Sequence, residues 1–144
     1  MEVITKSAKE TKSLGEEYGT DLVSANRPVL LALSGDLGSG KTTFLQGLAK
    51  GLKIKRRVVS PTFILMRKYD AARGHVFYHI DLYRLDEGAD EELENLGFDE
   101  IVGDPTSIVA VEWAEKAGEA FPKETVWIDF EYVGKNKRKI EIKK

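Results

Sequence analysis

Nine residues, Gly35 to Thr43 (GDLGSGKTT), limit what this chain can fold into more than any other stretch. The spacing Gly35-x4-Gly40-Lys41-Thr42 is that of a phosphate-binding loop. It follows VLLALS, Val29 to Ser34, a short continuous apolar run that reads as a buried strand. It precedes TTFLQGLAKGL, in which Phe44, Leu45, Leu48 and Leu52 share one helical face and Gly51 lies near the end. Strand, glycine loop and helix in that order open an α/β layer domain.

Each residue type in the loop has a physical task. Gly35, Gly38 and Gly40 let the backbone bend tightly and turn its N–H groups toward phosphate oxygens. The helix N-terminus adds partial positive charge. Lys41 reaches β- and γ-phosphates, and the Thr42 hydroxyl is a hard oxygen ligand suited to Mg²⁺. The motif predicts binding of a nucleoside triphosphate with Mg²⁺.

The remaining segments predict the layers around this loop. Ser7 and Glu10 have capping-box spacing, so a helix is expected from there toward Val23, ended by Arg27-Pro28. VVSPTF is extended, because Pro61 keeps Ser60 out of helical geometry. FILMRKYD and HVFYHIDLY read as two strands joined by a turn at AARG. DEGADEELENLGFDEIV is helical or irregular, SIVAVEW is a second buried strand, and AEKAGEAF is a short helix ending near Pro122. TVWIDFEYV and RKIEIKK form a closing hairpin around GKN. The expected fold is a P-loop NTPase-like three-layer α/β domain with a mixed parallel and antiparallel sheet, spanning residues 1–144 as a single domain.

Composition excludes several classes. The chain has no cysteine, so disulfides and thiolate metal sites are ruled out. No stretch has the uncharged apolar length of a membrane span, and MEVITKSAKETKSLGEEYG is too charged for a signal peptide. The expectation is a cytoplasmic protein without membrane contact. Charge is uneven: Asp81 to Asp104 holds ten acids against Arg84 alone, and Lys135 to Lys144 holds six bases against Glu141 alone. Solvated faces account for both; docking surfaces, an acidic one for a protein and a basic one for a protein or RNA, are the sharper alternative.

A phosphate loop needs carboxylates near its metal. Asp81 ends HVFYHID, where a metal-strand aspartate would lie. Glu112 ends SIVAVE in the same manner and either orients the attacking water or completes the metal shell; which acid does which is left open. Thr62 in SPTF is a candidate γ-phosphate or metal sensor on a switch loop. Trp113 lines the nucleotide or fills the core. His79 shares a strand face with Asp81 but is read as a core histidine, and Arg84 is the nearest candidate for neutralising transition-state charge.

Absences prune the class. A GTPase would show Asp-x-x-Gly after the metal strand, where Asp81 is followed by LYR, and Asn-Lys-x-Asp, which NKRK is not. The LSGGQ signature of ABC ATPases is missing. A small-molecule kinase would need a second substrate region and an arginine-rich lid, for which little chain remains. That kinase, and a nucleotide-dependent binding module without hydrolysis, stay as alternatives.

GDLGSGKTTF, SPTF, HIDLYRL, LGFDE and VEWAE occur together in this order. As a set they resemble the bacterial TsaE (formerly YjeE) family, the small ATPase of tRNA threonylcarbamoyladenosine synthesis. The likeness runs to about Glu115; beyond it only strand character matches. The resemblance implies ATP and Mg²⁺ as ligands and TsaD and TsaB as partners. It also implies an ATPase, slow alone, that resets the TsaB–TsaD pair rather than transferring the carbamoyl group. By similarity Gly35 to Thr43 bind nucleotide and Lys41 serves catalysis. Thr42 and Glu112 hold Mg²⁺, Thr62 lies on the switch loop, Asp81 is catalytic and Trp113 lines the nucleotide site.

Overall fold

The computed structural model of the chain describes residues 1–59 and 65–144. In chain order the elements are β1 (Glu2–Thr5), α1 (Ala8–Ala25), β2 (Val29–Ser34), α2 (Lys41–Gly51), β3 (Met66–Asp70) and β4 (Val76–Asp81). Then follow α3 (Ala89–Asn95), α4 (Phe98–Gly103), β5 (Ser107–Glu112), β6 (Val126–Gly134) and β7 (Lys137–Lys143). Single 3-10 segments cover Ala72–Gly74 and Ala114–Ala120.

The seven strands form one sheet in the order β1-β7-β6-β2-β5-β4-β3. β2 pairs in parallel with β5 and β6, and β4 in parallel with β5, whereas β3, β7 and β1 add antiparallel at the two sides. The central strands are buried on both faces, which is why VLLALS and SIVAVE carry so few polar residues. Alternation then sorts them. Leu31, Leu33, Phe77, Ile108 and Ala110 face α1 and α2, and Leu30, Ala32, Ile80, Val109 and Val111 face α3, α4 and the Ala114–Ala120 segment. Each fully buried leucine or isoleucine contributes about 2 kcal/mol of transfer free energy, so this double core dominates the stability of the sheet.

Ser7 caps α1 as the spacing predicts, its hydroxyl accepting from the Glu10 amide at 3.1 Å, while the Glu10 carboxylate accepts from the amide of Lys6, one residue before the cap. The helix it starts packs on α2 with backbones touching. A Cβ built on Gly47 would lie 1.9 Å from the Lys12 carbonyl oxygen, and one on Gly15 would lie 2.1 Å from the Phe44 oxygen. Gly51 is the last residue of α2, as the sequence predicts, and a Cβ there would lie 2.1 Å from the Glu16 carbonyl oxygen. The close crossing fixes α1 beside the phosphate loop.

Three expectations change in detail. The N-terminal residues Glu2–Thr5 form an edge strand on β7 that the sequence reading passed over. The acidic stretch resolves into two short helices, α3 and α4. SIVAVEW ends one residue early, with Trp113 leaving the strand in the left-handed region (φ 58°).

Candidate functional site

The loop between β2 and α2 lies at the carboxyl end of the parallel strands, where open α/β sheets bind ligands. Gly35 has φ 140°, and a side chain there would meet the Phe130 carbonyl oxygen at 2.5 Å, so this position has room only for glycine. Gly40 (φ 105°) turns the chain into α2, whose first residue is Lys41. These local constraints are why the glycines recur at this spacing.

A cavity of about 510 Å³ opens over the loop, lined among others by Lys41, Thr42, Asp81, Glu112 and Trp113. The register of β4 on β5 sets Asp81 beside Glu112 at the ends of adjacent strands. Both side chains are buried. The Thr42 hydroxyl donates to Glu112 Oε1 at 3.3 Å, while Glu112 Oε2 accepts from or shares a proton with His79 Nε2 at 2.7 Å. Asp81 accepts from the Tyr83 amide at 2.9 Å. Asp81, Glu112, Lys41 and Thr42 therefore converge on one cavity from three elements that are far apart in sequence.

Lys41 is only 5% exposed. Its ammonium donates to the carbonyls of Gly35 and Asp36 and sits 3.9 Å from the centroid of the Trp113 ring. Burial pushes its pKa below the ordinary lysine value, opposed by the nearby carboxylates Glu112, Glu115, Asp81 and Asp36. The loop's own groups thus satisfy one another: Glu115 Oε2 accepts from the Gly35 amide at 3.2 Å, an oxyanion on the first amide of the loop. A triphosphate would replace these internal partners with better ones. The Ser39 hydroxyl is buried with no partner among the described residues, a polar atom available to such a ligand.

Trp113 lines the cavity and packs on the core. Its left-handed backbone swings the indole over Lys41, and it also packs against the core beneath α3 and α4 and lies 5.2 Å from the Tyr83 ring. Gly38, Gly40, Leu37 and Thr43 line the cavity too, whereas Asp36 is exposed beside it. Thr62 lies outside the described residues.

Arg84 is exposed and is not among the residues lining the cavity. The arginine that does line it is Arg138, on β7, whose Nε donates to the Gly38 carbonyl at 3.1 Å and whose guanidinium stacks on Tyr132. Ala8, Thr11 and Asn136 complete that end of the cavity. Nothing local marks them, since they reach the loop through the helix crossing and the β6–β7 hairpin. The tail's other charges are partly spent: Lys139 pairs with Glu2 and Glu131, and Lys143 with Asp129 and Glu141. Arg138→Ala is expected to weaken nucleotide binding about tenfold through loss of one charge-assisted contact; isothermal titration checks it.

The donors fit a hard cation. Thr42 and Glu112 offer oxygen donors only. That suits Mg²⁺, which keeps waters and takes substrate phosphates as ligands.

The loop, the strand order and the paired carboxylates define a P-loop NTPase-type α/β domain. Within that class the chain belongs to the TsaE family: residues 5–140 match the family described as threonylcarbamoyl adenosine biosynthesis protein TsaE. The tRNA threonylcarbamoyladenosine biosynthesis protein TsaE of Aquifex aeolicus is 36% identical over 143 residues, covering 98% of this chain and 94% of that protein. The protein of the same name from Borreliella burgdorferi is 44% identical over 106 residues, covering 73% and 74%. The crystal structure of Bacillus subtilis YdiB superimposes with a TM-score of 0.78 at 32% identity, covering 99% of this chain and 83% of that one. No helix among the described residues is long and apolar enough to cross a membrane.

Proposed function

We propose that this chain binds ATP with Mg²⁺ and hydrolyses it to support tRNA threonylcarbamoyladenosine formation, acting in the cytoplasm on a TsaB–TsaD pair. The observation that carries the reading is the contact between Thr42, at the start of α2, and Glu112, at the end of β5, beside Asp81 on the cavity of Lys41. Family membership supplies the pathway.

In this reading the amides of Gly35 to Thr43 cradle the phosphates and Lys41 bridges the β- and γ-phosphates. Thr42 and Glu112 hold Mg²⁺, which neutralises charge on the phosphate oxygens when bound. Asp81 fixes the water or the second shell of that site, Trp113 closes the cavity wall, and Thr62 senses the γ-phosphate. Phosphoryl transfer depends on positioning and on neutralising negative charge. Arg138 already donates to the Gly38 and Lys137 carbonyls. Slow hydrolysis by the isolated chain follows, with partners organising the site.

The test is Glu112→Gln. Hydrolysis is expected to fall about 100-fold, as when one preorganised charged group is removed. Formation of modified tRNA, reconstituted from purified TsaB, TsaD and this chain, should fall with it. Intact modification without hydrolysis would make the chain a nucleotide-dependent binding module, and a phosphorylated small molecule in place of free phosphate would make it a kinase.

A further inference from the structure

His79 is almost fully buried, and its one polar contact among the described residues is Glu112. Its Nδ1 is buried with no partner among the described residues. A histidine kept only for packing would be better replaced by leucine or phenylalanine, which leave no orphaned polar atom. The ring is set by its neighbours: it stacks on Phe77 with centroids 6.1 Å apart at 24°. The register pairs His79 with Ala110, whose small side chain leaves space for the imidazole to reach Glu112, two residues on along β5.

Glu112 therefore has its two oxygens divided. Oε2 is tied to His79 at 2.7 Å, and Oε1 is left for Thr42 at 3.3 Å. An untied glutamate has three rotatable bonds to order before it can serve a ligand. We infer that His79 is a positioning residue: it anchors Glu112 Oε2 and thereby presents Oε1, together with the Thr42 hydroxyl, to the nucleotide-bound metal. The inference rests on the ATPase reading above. It makes the histidine of β4 part of the site through a carboxylate on β5, without contact to substrate.

The experiment compares His79→Leu, His79→Asn and His79→Gln in the full chain. Glutamine can place an amide N–H near the position of Nε2; asparagine is too short and reaches only the Nδ1 side. Calorimetry would measure the affinity for a non-hydrolysable ATP analogue with and without Mg²⁺, alongside kcat and KM with partners present. The leucine and asparagine chains are expected to lose at least tenfold of the Mg²⁺-dependent gain in affinity and at least tenfold in kcat. Their metal-free affinity should stay within twofold, and glutamine should recover most of both losses. A merely structural histidine would lower the melting temperature and leave the Mg²⁺ dependence unmoved, and that result overturns the inference. So does an asparagine chain that behaves as the parent, which decides the matter if the leucine chain fails to fold. If the parent chain itself shows no Mg²⁺-dependent nucleotide binding, the ATPase reading fails instead.

Discussion

Lys41→Ala is expected to lose ATP·Mg²⁺ binding by about 100-fold or more while keeping a native circular-dichroism spectrum. Two effects add. The ammonium is the charge that the loop offers to the phosphates, and charge-assisted hydrogen bonds of this kind contribute about 1.5–3 kcal/mol each. Its removal also leaves Asp36, Asp81, Glu112 and Glu115, which act on it electrostatically, without their central cation, so the cavity repels a triphosphate. The fold should survive because, among the described residues, the Lys41 ammonium binds loop carbonyls and the Trp113 ring rather than joining elements of the core. Burial lowers its pKa, so folding disfavours the charged form. The sign follows: between that lowered pKa and the ordinary lysine value, stability from this group rises with pH, and at neutral pH alanine removes a burial cost. Titration calorimetry with ATP·Mg²⁺ and a thermal melt decide it; unaltered affinity, or a collapsed spectrum, would refute the assignment.

Gly47→Val should have the largest effect on stability. Its Cβ would lie 1.9 Å from one Lys12 backbone atom and 2.8 Å from another, and backbone cannot rotate away as a side chain can. Helices α1 and α2 would have to separate, opening the layer that holds Phe44, Leu45 and Leu48 against the sheet. Overpacking of this severity costs about 3 kcal/mol or more, a fall of about 10 °C in Tm for a chain of this size. Gly118→Val is the control, since a Cβ there meets nothing within 4 Å. Equal melting curves for the two variants would show that the helix crossing yields more readily than its geometry indicates.

Features written in short windows were legible. Ser7 and Glu10 cap α1 because a hydroxyl and a carboxylate three residues apart reach backbone amides in any helix start. The glycine loop, its strand and its helix are equally local, and so is the hairpin β6–β7. Asp81 and Glu112 stood out because each closes an apolar strand, and the parallel register then sets them side by side. Features made by distant pairs were not legible. Nothing in α2 itself reveals that Gly47 and Gly51 lie against the Lys12 and Glu16 carbonyls of α1. Arg138 looked like part of a basic tail, one hundred residues from the loop carbonyl it binds. His79 looked like core, as by burial it is, and its tie to Glu112 depends on strand order.

The amino-acid order alone determined that a phosphate cradle follows the first core strand and that acids end two others, because backbone conformation and periodicity act over a few residues. Only the tertiary structure decided that His79 contacts Glu112, that Arg138 reaches Gly38, and that the backbones of α1 and α2 touch at Gly15 and Gly47. Those contacts join elements tens of residues apart, and their partners are chosen by sheet order and helix packing, which no local stretch of sequence encodes.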